Sequence, residues 1–286
     1  MSELAKRVIV ALIIAPIAVL AAWFGDAALA TLLSVVAGVT AWELCRMVRA
    51  SGTNPLEGLT IAFAAVLPLL AHGVHLSVIN PGPAWFAVAL IGVMTAAIFA
   101  RRVDEHPLGV AAASLFIAMY TGGALSFAYG LRYDSYAIGR ASQCLVLLLP
   151  VLLAWSSDTG AYFVGRLFGR TKLRPSVSPA KTVEGALGGV ALSVLMCWLY
   201  VRMLLVPQGQ LGLSPQGIAM FGIAIAVAAQ LGDLFESLLK REAGVKDSSG
   251  LLPGHGGFLD RVDSLLFVLP VAALLLDQLL IPAPRA

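Results

Sequence analysis

Long apolar runs separated by short polar clusters repeat along the whole chain. They fall at about Val8 to Phe24, Ala27 to Leu44, Leu59 to Ile79, Trp85 to Ala100, Leu108 to Leu131, Leu145 to Phe163, Val183 to Val206, Ile218 to Leu239 and Ser264 to Ile281. A bilayer core of roughly 30 Å is crossed by about 20 helical residues. The pattern therefore predicts an all-α, polytopic membrane protein of about nine transmembrane helices. Asn54-Pro55, Asn80-Pro81-Gly82-Pro83 and Gly209 to Pro215 supply turn chemistry between runs. Without an internal repeat or a low-complexity linker, the chain reads as a single integral-membrane domain over 1–286. Its N-terminal helices occupy about 1–131, and its catalytic helices and loops about 143–281.

The eighth run departs from this pattern. The pure apolar stretch from Ile218 to Leu231 is too short to span, so the helix must continue to about Leu239. That places Asp233 and Glu236 at or inside the membrane edge. Gln230, Asp233, Ser237 and Lys240 recur at three- or four-residue spacing and share one helix face, which turns the acidic groups toward the protein interior. Intramembrane carboxylates are costly and usually mark an ion or substrate site.

Composition agrees with the patterning: 59% of the 286 residues are hydrophobic and 12% are charged. A soluble globular enzyme is excluded, and each charged cluster becomes more informative than it would be in one. Cys45, Cys144 and Cys197 lie scattered in apolar segments, so neither a disulfide framework nor a zinc site is implied. Lys6 and Arg7 precede the first run as in a signal peptide, yet that run is long enough to span and is read as a retained first helix. With the N-terminus in the cytoplasm, 15 of the 19 Lys and Arg fall on the inside; Arg132, Arg140, Arg202 and Arg285 fall outside. This bias predicts an N-in, C-out chain whose two long charged loops face the cytosol, where nucleotides are found. Trp23, Trp42 and Trp85 sit near run ends as interfacial anchors, while His72, His75 and His106 receive no function.

The first charged loop leaves a helix bearing Ser156-Ser157-Asp158-Thr159 and carries Lys172, Arg174 and Lys181 among Ser and Pro. These cations either anchor helix ends or bind anions. Ser178 or Thr182 can cap the following helix, whose N-terminus beside Lys181 is a ready anion site. The second loop mixes Lys240, Arg241 and Lys246 with Asp233, Glu236, Asp247, Asp260 and Asp263, and adds Gly250, Gly254, Gly256 and Gly257. Such a mixture suits a divalent cation held against phosphates. Its structural alternative is a set of salt bridges closing the loop. His255, in Pro-Gly-His-Gly-Gly, is either a hydrogen-bonded turn residue or a catalytic group.

Ser237-Leu-Leu-Lys240-Arg241, Lys246-Asp247, His255-Gly-Gly and Asp260-Arg261-Val-Asp263 together resemble the C-terminal signature of the phosphatidate cytidylyltransferases, the CDP-diacylglycerol synthases. Asp158-Thr-Gly-Ala-Tyr-Phe, Gly165-Arg166 and Ser178-Pro-x-Lys181-Thr-x-Glu184-Gly185 extend the resemblance over roughly the C-terminal half. Ala180 and Val183 depart from it, standing where Gly or Lys and an aromatic residue are common. The resemblance implies transfer of CMP from CTP to phosphatidic acid, in phospholipid biosynthesis at the inner membrane. It implies Mg²⁺, with Asp233 and Asp260 as ligands and Asp158 and Asp263 for a second cation or in support. It assigns Lys240, Arg241, Lys246, Arg261, Lys172 and Lys181 to substrate phosphates, with Ser237 and His255 beside them. Membrane lipids and a homodimeric partner are implied, and nucleic acid is not. Outside this class, a transporter for an anionic solute would use Asp233 and Asp158 for a coupling cation, but would carry them near mid-bilayer. A CTP-using polyprenol or phytol kinase would share the nucleotide and move its γ-phosphate.

Overall fold

The computed structural model describes residues 3–80, 82, 84–137 and 139–282, with the side chains of 3–9, 11, 84 and 85 outside that set. Lys6, Arg7 and Trp85 therefore have described backbone only, and Arg285 and two residues of the 80–83 turn lie outside the described residues. The helices are α1 (Glu3–Phe24), α2 (Asp26–Ala50), α3 (Glu57–His75), α4 (Ala84–Ala100), α5 (Pro107–Tyr133), α6 (Arg140–Phe168), α7 (Val183–Gly209), α8 (Pro215–Glu242) and α9 (Leu259–Leu279). Seven of these, α2, α3 and α5 to α9, are long and apolar enough to cross a membrane; α1 and α4 contain the shorter apolar stretches Leu12–Phe24 and Phe86–Ala100. The chain is a mainly helical integral membrane protein.

Two features qualify the all-helical expectation. The loop after α6 folds into an antiparallel hairpin, β1 (Lys172–Arg174) on β2 (Ser178–Thr182), and a second short pair joins β3 (Leu211–Leu213) to β4 (Leu280–Pro282). Backbone polar groups need partners, and strand pairing satisfies them where neither helix continues. The other feature is π-helical winding at Met119–Gly123 within α5 and at Val201–Gly209 ending α7. At the first of these, Gly122 lies against the Ala64 carbonyl of α3, where a side chain would collide with backbone.

The described chain divides into two compact units. Unit 1 comprises Met1–Ala21, Gly25–Tyr129 and Leu239–Arg261. Its core includes Leu56, Val93, Ala97 and Val110, and the Leu56 N–H donates to Ser114 Oγ at 2.9 Å. Tyr129 donates to the Asp26 carbonyl at 2.8 Å and meets His72 Nδ1 at 2.6 Å, a structural use for that histidine.

Unit 2 comprises Ala22–Phe24, Gly130–Leu238 and Val262–Ala286. Here α6 and α7 approach closely because Gly160 faces the Gly188 carbonyl; a Cβ on Gly160 would stand 2.7 Å from that oxygen. The buried Arg132 guanidinium donates to the Ala22 and Trp23 carbonyls at the end of α1. Thr182, rather than Ser178, caps α7, accepting from the Gly185 N–H at 3.1 Å. Glu184 in the first turn of α7 accepts from the Arg170 and Thr171 N–H groups at 3.0 and 3.1 Å, and so fixes the hairpin's entry.

Candidate active site

In unit 2 the polar face of α8 is built one helical turn at a time. Gln230 is held by its amide, which donates to the Ala186 carbonyl at 3.1 Å and to Ser157 Oγ at 3.3 Å. One turn further, Asp233, Glu236 and, from α9, Asp263 bring one carboxylate oxygen each to within 4.8 Å of one another. Gly232 makes this approach possible, because a Cβ there would stand 2.7 Å from the Asp263 carbonyl oxygen. Lys181 of β2 places its Nζ 2.6 Å from Asp233 Oδ2, and Ser237 donates to Asp233 Oδ1 at 3.4 Å. Asp158 on α6 is exposed and interacts electrostatically with both Asp233 and Lys181. Converging carboxylates repel one another. A divalent cation that takes oxygen ligands fits this arrangement, and Mg²⁺ characteristically uses one or two carboxylates together with substrate phosphate and water.

Unit 1 contains a second set of carboxylates, arranged in the opposite way. Asp260, at the start of α9, receives Lys240 Nζ on Oδ1 at 2.7 Å. Its Oδ2 accepts from the Ser248 N–H at 2.9 Å, Ser248 Oγ at 2.7 Å and the Gly257 N–H at 2.8 Å. The Lys240 and Asp260 side chains are only 13% and 6% exposed. For this pair the salt bridge that closes the loop is what the geometry provides. Gly256 adopts φ +78°, a region that favours glycine, and a Cβ there would stand 2.8 Å from Asp260 Oδ2. His255 lies in the turn that this glycine allows, with its N–H donating to the Leu252 carbonyl at 2.8 Å. Its Nδ1 is buried without a hydrogen-bond partner among the described residues. Arg241, Lys246 and Arg261 are exposed in unit 1, as Lys172 is on β1 in unit 2.

Residues 5–279 match the model of the cytidylyltransferase family. The chain belongs to that family. Cytidylyltransferase relatives include the phosphatidate cytidylyltransferase of Haemophilus influenzae, 37% identical over 192 residues that cover 65% of this chain and 63% of that protein. Those of Bacillus subtilis and Staphylococcus haemolyticus are 45% identical over 150 residues and 42% over 156. These alignments cover 52% and 54% of this chain, and 48% and 58% of the respective relatives. The chain thus spans about half to three-fifths of the length of the curated relatives it matches.

Two residues of this chain take their partners only in three dimensions, and only the first of them is marked in the sequence, by its place at the membrane edge. Glu236 completes the acidic group in unit 2, a place that spacing along α8 permits but does not require. Glu43 of α2, fully buried in unit 1, accepts from Ser249 Oγ at 2.5 Å, Ser248 Oγ at 3.2 Å, and the Phe258 and Leu259 N–H groups at 3.0 and 2.7 Å. The signal available in the sequence was a lone carboxylate inside an apolar run, between Trp42 and Leu44.

Proposed function

We propose that this chain transfers CMP from CTP to phosphatidic acid, forming CDP-diacylglycerol and pyrophosphate. The carrying observation is the convergence of Asp233, Glu236 and Asp263 beside Lys181 in a chain of this family. The names of its relatives support the choice of lipid substrate. The second pKa of a phosphomonoester is about 6, so the phosphatidate headgroup is largely a dianion at neutral pH. One of its oxygens forms the new bond to the α-phosphorus of CTP while the bridge to the β-phosphate breaks, and pyrophosphate leaves. A nucleophile already ionised needs no strong base, so the protein's task is positioning and charge stabilisation. His255 is accordingly assigned to binding.

Asp233, Glu236 and Asp263 would hold Mg²⁺, which supplies positive charge to the triphosphate, and Asp158 would serve a second cation. Ser237 steadies Asp233, and Lys172 and Lys181 neutralise substrate phosphate. Arg241, Lys246 and Arg261 of the signature loop have the same role. Asp260 and Lys240 hold that loop in shape. The chain is assigned nine spans, an inner-membrane location, a cytosolic N-terminus and a cytosolic site, and its working assembly a homodimer.

The deciding experiment incubates purified protein with α-labelled CTP, phosphatidic acid and Mg²⁺ and then extracts lipid. Label in the lipid phase is expected. Transfer from γ-labelled CTP alone would make the protein a lipid kinase, and no transfer from folded protein would overturn the nucleotide reading. Single cysteines replacing the exposed Ser176 and Leu251 test orientation, with labelling expected from the cytosolic side. The three native cysteines are buried. Crosslinking in native membranes tests the dimer.

A further inference from the structure

We infer that Glu43 is a positioning residue for the reaction, fixing the signature loop and the first turn of α9 from a helix about 200 residues away in sequence. The inference rests on the proposed CMP transfer. Phe258 and Leu259 carry backbone N–H groups at the N-terminus of α9, which no preceding helical turn can satisfy. Glu43 accepts both, and its negative charge complements the helix dipole at that end. It also accepts from Ser249, and it shares the single hydroxyl proton of Ser248 with Asp260. Gly257 stands where the Glu43 carboxylate and Ser248 Oγ leave no room for a side chain. Its N–H meanwhile goes to Asp260. The glycine and the two carboxylates therefore specify one conformation of the loop, which carries Lys246 and His255, and of the first turn of α9, which carries Arg261.

This site discriminates among acceptors. A carboxylate accepts only, whereas a glutamine amide would turn an NH₂ group toward groups that themselves donate. An aspartate keeps the charge but is one methylene shorter. Glu43→Gln should therefore be worse than Glu43→Asp. A variant that merely destabilised the protein would lower the number of active molecules and leave the KM of the remainder unchanged. A mispositioned loop changes KM itself.

The test compares full-length wild type, Glu43→Gln and Glu43→Asp in lipid nanodiscs. Its two readouts are steady-state kinetics with α-labelled CTP and amide hydrogen exchange. For Glu43→Gln, kcat/KM for CTP should fall about 10–100-fold, the range for residues that orient a site's direct contacts, with KM for CTP raised and Glu43→Asp recovering part of the loss. Exchange at Phe258 and Leu259 should accelerate at least about tenfold, with α6 and α7 unchanged. Turnover and KM within about twofold of wild type would overturn the inference, as would a fall in kcat alone with native KM. If exchange rises throughout Glu43→Gln, Ser249→Ala decides, because it keeps the charge and removes one donor. A raised KM for CTP then supports the inference and a native KM overturns it. If wild type transfers no label, CMP transfer fails and the inferred role fails with it. The exchange data then still show separately whether Glu43 holds the loop.

Discussion

The two groups of buried or half-buried carboxylates in this protein are made of the same chemistry and built to opposite ends. In unit 1, Glu43 and Asp260 are surrounded by donors: hydroxyls, backbone N–H groups and the Lys240 ammonium. In unit 2, Asp233, Glu236 and Asp263 bring carboxylate oxygens close to one another, with Lys181 and the Ser237 hydroxyl on Asp233 and the Ser264 N–H donating to Asp263. A carboxylate matched by donors contributes to folding, because its desolvation is compensated locally. Carboxylates set against carboxylates oppose folding unless a cation or proton enters. The identity of the residue does not tell these roles apart; the groups that its oxygens face do.

The comparison breaks first, and most visibly, on activity. Asp233→Asn, Glu236→Gln and Asp263→Asn should each lower CMP transfer by about 10³-fold or more, corresponding to the several kcal/mol that a bound cation gives to transition-state charge. Lipid labelling measures the loss, with membrane insertion followed in parallel. A variant retaining a tenth of normal turnover would not belong to the cation group.

Chelation sharpens the same contrast. EDTA should abolish transfer and Mg²⁺ restore it. The Mg²⁺ concentration for half-maximal activity should rise in the three unit 2 variants and stay at the wild-type value in Asp260→Asn. A shift in Asp260→Asn of the same size would return Asp260 to the ligand set and dissolve the distinction between the two groups.

Stability should separate the groups in the reverse order. Asp260→Asn puts an amide, with its own N–H donors, where a 6% exposed carboxylate accepts from Lys240, Ser248 and Gly257, and breaking such a buried pair costs about 3 kcal/mol or more. Asp233→Asn loses the more accessible pairing with Lys181 but relieves repulsion among three like charges, so its stability should stay within about 1 kcal/mol of wild type. Thermal unfolding in detergent reads both. A larger drop for Asp233→Asn than for Asp260→Asn would contradict the reading of each group.

Much of this was legible in the residues alone. Apolar run length located the seven helices long and apolar enough to cross a membrane, with shorter apolar stretches at the first and fourth runs. The three- and four-residue spacing on α8 put Gln230, Asp233, Ser237 and Lys240 on one face, of which Gln230 meets Ser157 and Asp233 meets Ser237, Glu236 and Asp263. The signature residues also marked the end of α8 from Ser237 and the loop that follows Glu242. What escaped was whatever depends on partners distant in sequence. Glu43 has no motif around it, and only the folded chain brings it four donors from residues 248–259. The family resemblance makes Asp260 a ligand, and the Ser248 and Gly257 N–H groups that meet its carboxylate leave no mark in the sequence. The sequence over 172–182 shows a charged loop and not its hairpin, since Ser and Pro content hides a register set by backbone pairing. The π segments of α5 and α7 likewise follow from packing, as at Gly122, and leave no periodic trace.

The smallest effect belongs to Thr182, and it tests whether Lys181 owes its place to the helix cap. Thr182 sits at φ −127° and ψ 156°, already extended as the last residue of β2, and its hydroxyl oxygen accepts from the Gly185 N–H. Thr182→Ala removes that acceptor and should cost about 1 kcal/mol, whereas Thr182→Ser retains it and should cost little. Strand pairing continues to hold the backbone, because Lys172 still faces residue 182 across the hairpin. Lys181 should therefore keep its contact with Asp233, and KM for CTP should remain at its wild-type value in both variants. A raised KM in Thr182→Ala restored by Thr182→Ser would mean that the cap, rather than the strand register, places Lys181 against Asp233.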